Sequence, residues 1–290
     1  MRPYTEGEHE AIDIVNRVKT WYDFTGQTAV ISGGTGFIGG QIACALASLG
    51  ANVAILGRNL KAAERLRERI PDDRSDALAV FVCDVLDRNA LQAACDAIHK
   101  RFGAPDILVN AAGGNNPRAT TTPQQNFFDL PPDALRGVFD LNLMGTVLPC
   151  QVFGQAMKEQ GRGSVLNVTS MAAARPLTRV GAYGAAKAAV SNFTQWLAVH
   201  LAQEYSPRIR VNAIAPGFLF TDQNRFLLQD EATGELTPRG QAIIDHTPMG
   251  RFGKPEDLLG ATLWLLSPAS SFVTGTVVPV DGGFSAYSGI

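Results

Sequence analysis

What the chain lacks first is charge of one sign: 25 lysines and arginines stand against 27 aspartates and glutamates. Without a basic stripe, neither nucleic acid nor an anionic membrane is an implied partner, and a small molecule is expected instead. Long hydrophobic runs are missing too, since no stretch approaches the roughly 20 apolar residues that span a bilayer. The N-terminal Glu6, Glu8, His9, Glu10 and Asp13 are the wrong composition for a signal peptide, so a soluble, cytoplasmic chain is expected. Cysteine is scarce, and Cys44, Cys83, Cys95 and Cys150 show neither zinc nor dithiol spacing, which makes them core thiols. Internal repeats, long linkers and a second core are absent as well. A chain of 290 residues with 46% hydrophobic content is then expected to form one domain over residues 23–290 after an extension over residues 1–22. In that extension Ile12, Val15 and Val18, spaced by three, predict a short amphipathic helix.

What is present alternates. Apolar runs at Thr28–Ser32, Asn52–Leu56, Leu78–Cys83, Ile107–Val109, Ser164–Thr169, Arg210–Ile214 and Thr276–Val280 read as seven strands. Helical stretches separate them, including Gln41–Leu49, Asp87–Phe102, Asp133–Gln160 with a break around Gly145 and Pro149, and Ala182–Tyr205. That order predicts a doubly wound, mainly parallel sheet of Rossmann type with helices on both faces. The first strand runs into Gly33-Gly34-Thr35-Gly36-Phe37-Ile38-Gly39-Gly40. Strand, glycine turn and helix together form a phosphate-binding unit, because glycines let backbone N–H groups approach a pyrophosphate at the positive end of the helix. The second strand ends in Gly57-Arg58-Asn59 rather than an acidic residue. A cation there suits a 2′-phosphate, so NADP is favoured over NAD. The excursion over residues 218–249 reads as a lid.

Tyr183 and Lys187 fall at i and i+4 on one helical face, with Ser170 at the end of the fifth strand. An ammonium beside a phenol is expected to draw the tyrosine pKa down from about 10 towards neutrality, as a general acid/base requires.

The glycine turn, Asn110-Ala111-Ala112-Gly113, Asn142, Ser170, Tyr183-x-x-x-Lys187 and Pro216-Gly217 closely resemble the classical short-chain dehydrogenase/reductases from about residue 24 to the end. The resemblance implies that Tyr183 is the acid/base, Ser170 the carbonyl-orienting hydroxyl, Lys187 the group that lowers the tyrosine pKa and holds the nicotinamide ribose, and Asn142 the holder of a relay water. It implies adenine contacts from Asp84 and Val85 and a cofactor cleft lined by Asn110, Ala111, Ala112 and Gly113. Pro216, Gly217, Leu219 and Thr221 would meet the nicotinamide. Gly33, Thr35, Gly36, Phe37, Ile38 and Gly39 would take the pyrophosphate, although Phe37 stands where classical members carry the middle glycine. No metal is implied, and a homotetramer packed through the Tyr183 helix is.

The C-terminal third, with Gln223-Asn224-Arg225, Gly234-Glu235-Leu236-Thr237 and Thr247-Pro248-Met249-Gly250, looks like the D-mannonate oxidoreductases of that family, or fructuronate reductases. This likeness implies a keto sugar acid as substrate. Another carbonyl (3-oxoacyl, polyol or steroid) is the alternative, and a dinucleotide-sensing protein without turnover a remoter one. A carboxylate in a partly dry cleft needs a cation. Arg175, Arg179 and Arg225 are placed to help, with Arg225 and Asn224 expected first and Arg175 next.

Overall fold

The computed structural model describes residues 18, 20–58, 65–221, 225–230 and 233–289. The helix expected in the N-terminal extension falls almost wholly outside them, as do Asn59 and Asn224. Seven strands form one fully parallel sheet in the order β3-β2-β1-β4-β5-β6-β7. They are β1 Thr28–Ser32, β2 Asn52–Gly57, β3 Leu78–Val82, β4 Ile107–Asn110, β5 Gly163–Val168, β6 Ile209–Pro216 and β7 Val277–Val280. The strand order reverses between β1 and β4, and at such a point the connecting segments diverge to opposite faces and leave a crevice at the carboxyl ends.

Every residue of β1 and β6 is buried, as expected for strands covered on both sides. Along β1, Ala29 and Ile31 face α1 (Phe37–Ser48) and α8 (Leu259–Leu266), whose Ile42, Leu46, Leu265 and Leu266 complete one core. Val30 points the other way, into a second core with α2 (Arg88–Phe102), α4 (Gly145–Gln160) and α5 (Gly181–Glu204) through Leu91, Ile98, Phe153 and Leu201. Helix α2 shows how the sequence sets its own limits. Asp87 caps its start by accepting from Asn89 N and Ala90 N at 2.8 and 3.1 Å, and His99, Lys100 and Arg101 fill its last turn before Gly103 at φ 91°. All four cysteines are free and buried, as expected.

Several boundaries differ from expectation. Helix α1 begins at Phe37, so Gly39 and Gly40 lie inside it. A Cβ on Gly39 would stand 2.5 Å from the Gly33 carbonyl oxygen; this helix sits too close to the glycine turn for any side chain there. The break in the long helix falls just before Gly145 and not at Pro149. Helix α3 (Pro132–Phe139) runs instead into a wide π turn at Asp140–Met144 before α4, and Pro149 is accommodated within α4. Residues 218–249 are not an irregular lid throughout, for they contain α6 (Arg225–Leu228) and α7 (Pro238–Asp245). On α5, Ala186 and Ala198 pack within the subunit, while Trp196 and Val199 are the large apolar side chains that stand exposed.

Arg210, the second residue of β6, is a buried guanidinium with no carboxylate beside it among the described residues. Its Nη1 donates to Leu265 O at 2.8 Å and Ser270 Oγ at 3.0 Å, and its Nη2 to Ser164 Oγ and Ser267 O at 3.2 Å each. One side chain thereby satisfies the end of α8 and the turn beyond it. Arg210→Met preserves volume but strands these acceptors, so urea unfolding should show a loss on the order of 2–4 kcal/mol; a change within about 0.5 kcal/mol would show that the acceptors find other partners.

Candidate functional site

The crevice at the sheet's switch point is a cleft of about 700 Å³. At one end lies the turn after β1. Gly33 has φ 64°, and a Cβ on it would meet Ala112 N at 2.7 Å, so the turns after β1 and β4 lie back to back. Gly36 is the N-cap of α1 with no side-chain cap and no acidic residue in the first turn. The backbone N–H groups there are left to an anion, which fits a dinucleotide pyrophosphate. Gly33, Thr35, Gly36, Phe37, Ile38 and Gly39 all line the cleft, with Phe37 40% exposed in place of the family's middle glycine. Arg58, Asp84, Val85, Ala111, Ala112, Gly113, Pro216, Gly217, Leu219 and Thr221 line it as well.

Asn110 does not line it. Its side chain is buried and donates to Asn167 Oδ1 at 2.9 Å, and Asn167 donates onward to Thr194 Oγ1 at 2.8 Å. As the last residue of β4, its side chain alternates into the body of the fold and ties β4 through β5 to α5.

The other end of the cleft gathers Ser170, Tyr183 and Lys187. Ser170 follows β5 and caps a short 3₁₀ turn, Met171–Ala173, by accepting from Ala172 N at 3.2 Å. Tyr183 and Lys187 share the first turns of α5. Lys187 is 4% exposed and donates from Nζ to Val168 O at 2.8 Å, while Thr169 Oγ1 holds the Lys187 carbonyl at 2.8 Å. Asn142 sits fully buried in the π turn, behind the wall. Its Nδ2 donates to Gly114 O at 2.7 Å and Val138 O at 2.8 Å, and its Oδ1 accepts from Gly114 N at 3.1 Å. Gly113 is packed against both of these groups, because a Cβ there would lie 2.8 Å from Asn142 Oδ1 and 3.1 Å from Lys187 Nζ.

The expected electrostatics need correction. Burial raises the Tyr183 phenol above its ordinary pKa, opposed in part by the Ser170 hydroxyl that hydrogen-bonds it. Lys187 does not reverse this. Its Nζ is 5.8 Å from the Tyr183 ring centroid and turned to Val168 O, and burial pulls its own pKa down to about 8. Desolvation disfavours both charged forms.

Two expected substrate contacts stand elsewhere. Arg175 is exposed and donates from Nε to Ser285 O at 3.0 Å, outside the cleft lining. Arg225 lies over the Phe220 ring at 4.9 Å and does not line the cleft either. The sequence reading missed Leu141, Met171, Leu177 and Phe218, which do line it; apolar residues beside strand ends look like core.

A glycine turn on a helix N-terminus, joined by one cleft to a serine, tyrosine and lysine, defines a dinucleotide-dependent oxidoreductase of carbonyl groups. Comparison agrees. A family model described as enoyl-(acyl carrier protein) reductase matches residues 35–285, and the protein belongs to the short-chain dehydrogenase/reductases. It is 46% identical over 277 residues to an uncharacterized oxidoreductase, UxuB, of Bacillus subtilis, covering 92% of this chain and 98% of that one. A provisionally assigned D-mannonate oxidoreductase from Haemophilus influenza, solved with bound NAD, is 42% identical with TM-score 0.85, over 92% of this chain and 98% of its own. A gluconate 5-dehydrogenase from Burkholderia cenocepacia, solved with NADP and tartrate, is 32% identical with TM-score 0.80, over 93% and 99%. Among the described residues, no helix is long and apolar enough to cross a membrane.

Gly113→Ala tests the close approach. The Asn142 amide, fixed by three hydrogen bonds, has little room to yield, so kcat should fall at least about tenfold through misplacement of Asn142 and Lys187 with the fold intact by circular dichroism; an unchanged kcat would remove Gly113 from the catalytic geometry.

Proposed function

We propose that this cleft reversibly transfers a hydride between a nicotinamide dinucleotide and the ketone of a keto sugar acid of the fructuronate and mannonate type. The observation that carries the reductase reading is the convergence of Ser170, Tyr183 and Lys187 at the end of the cleft opposite the glycine turn. When bound, the dihydronicotinamide supplies a hydride to the carbonyl carbon. Ser170 Oγ–H orients the carbonyl oxygen, and Tyr183 gives it the proton that completes the alcohol. Burial keeps Tyr183 protonated at neutral pH, which suits it to donate in the reductive direction. Lys187, anchored on Val168 O, holds the nicotinamide ribose, and Asn142 fixes the Gly113–Gly114 wall beside it and anchors the proton relay.

Arg58, which follows β2 and lines the cleft, would meet the adenosine ribose and would favour a 2′-phosphate there. The sugar-acid substrate is supported by the motifs of the C-terminal third and by the names of the two solved relatives. A second reading has its own support: Leu141, Met171, Leu177 and Phe218 on the wall suit a more apolar ketone, such as a steroid or an oxoacyl thioester.

Tyr183→Phe removes the proton donor alone. Turnover should fall on the order of 10²- to 10⁴-fold, while fluorescence titration gives dissociation constants for NADPH and NADH close to the parent's, NADPH being the tighter. The pH dependence follows from Lys187. Its ammonium persists below about 8 and is lost above, so cofactor affinity should weaken as pH rises through that value, and Lys187→Met should abolish the step. A Tyr183→Phe protein within about threefold of the parent rate would contradict a positioned acid.

A further inference from the structure

Between Ser170 and Tyr183 the backbone takes a conformation that no other non-glycine residue takes among those described: Arg179 is left-handed, φ 74°. A Cβ makes that region unfavourable, and such outliers gather where a site needs them. The Arg179 carbonyl accepts from Thr121 N at 3.0 Å, which joins it to the loop that follows β4. Arg239, in the first turn of α7, brings its Nη1 to 3.5 Å from Thr178 Oγ1. Segments leaving the carboxyl ends of β4, β5 and β6 therefore meet at Thr178 and Arg179. Leu177, the next residue back, lines the cleft. This is the side on which an open parallel sheet takes its ligand.

Arg239 thus reaches the residue next to Arg179 in the chain. Burial, and then the Arg179 charge, pull Arg239 below the usual arginine range. Neither Arg179 nor Arg239 is among the arginines paired with a carboxylate, as Arg118 is with Asp133, Arg162 with Asp106 and Arg251 with Asp257, so no carboxylate among the described residues relieves the pair. Two like charges brought together in this way by three segments favour an anion between them, and a carboxylate matches the planar fork of either arginine.

We propose that Arg179 and Arg239 form an anion seat at the rim of the substrate cleft and bind the carboxylate of the keto acid whose ketone faces Ser170 and Tyr183. The assignment rests on the reductase reading above and replaces Arg175, whose Nε is engaged by Ser285 O, and Arg225, which lies over the Phe220 ring, as the expected anchors. Neither guanidinium lines the cleft itself; the neighbouring Leu177 does. The carboxylate therefore lies several bonds from the ketone, and 2-oxo acids, with the two groups adjacent, fit poorly.

The test compares the parent with Arg179→Gln, Arg239→Gln and Arg179→Lys. Each is assayed for kcat/KM with D-fructuronate and with uncharged D-fructose, and titrated calorimetrically with D-gluconate in the presence of saturating NADP⁺. Loss of a charge-assisted pair predicts a fall about 10- to 100-fold larger on the acid than on the ketose, expressed in KM, with most of it restored in Arg179→Lys. Gluconate affinity should fall by a similar factor in both glutamine variants. Equal losses on the two substrates, or none, would overturn the seat while leaving the reductase standing. Were the parent to reduce neither ketone, the reductase reading would fail instead, and the gluconate titration would still decide: binding lost in both glutamine variants supports the seat, whereas binding unaltered, or absent in the parent, overturns it.

Discussion

A buried ammonium with no carboxylate among the described residues to neutralise it is the constraint on which the rest of this site depends. Lys187 reaches Val168 O at the end of β5, and its own carbonyl is held by Thr169, so α5 is locked onto the strand that delivers Ser170. The arrangement leaves no room for a side chain at position 113. It also requires Asn142 to turn inward, which the wide turn between α3 and α4 permits. The strand end, the helix and the π turn thus fix one another, and the hydroxyls of Ser170 and Tyr183 meet the same end of the cleft as a result.

Cleft and sheet share one cause. Strands buried on both faces can expose polar backbone only at their ends, and the reversal of order between β1 and β4 opens that edge. Close approach then dictates composition. Gly33 and Gly39 are glycines because backbone lies within 3 Å of where their Cβ atoms would be, whereas Phe37 faces the open cleft and needs no such restriction. The family's middle glycine is therefore dispensable here without loss of the turn.

Much of this was legible in the sequence. Parallel strands read as short apolar runs stopped by small residues, and the Tyr183–Lys187 spacing carries directly into one helical face. Desolvation was not legible, since a motif shows that a lysine neighbours a tyrosine but not that the lysine is buried and the tyrosine largely desolvated, and so the expected direction of the tyrosine pKa was wrong. Helix α8 is apolar on every side and shows no period to read. Asn110 belonged to a recognisable motif, yet which way its side chain turns is set by register. Arg210 looked like the polar start of a strand, and the approach of Arg239 to Thr178 spans 61 positions, a pairing that only the fold creates.

The measurement closest to the central claim is the oxidation of NADPH by the unmodified protein with a keto sugar acid, set against a 3-oxoacyl thioester and a 7-oxosteroid under the same conditions. A hydride-transfer site with a positioned acid and a cationic entrance predicts the highest kcat/KM for D-fructuronate, by about tenfold or more. A preference of that size for the thioester or the steroid would contradict it and give the apolar wall the deciding role.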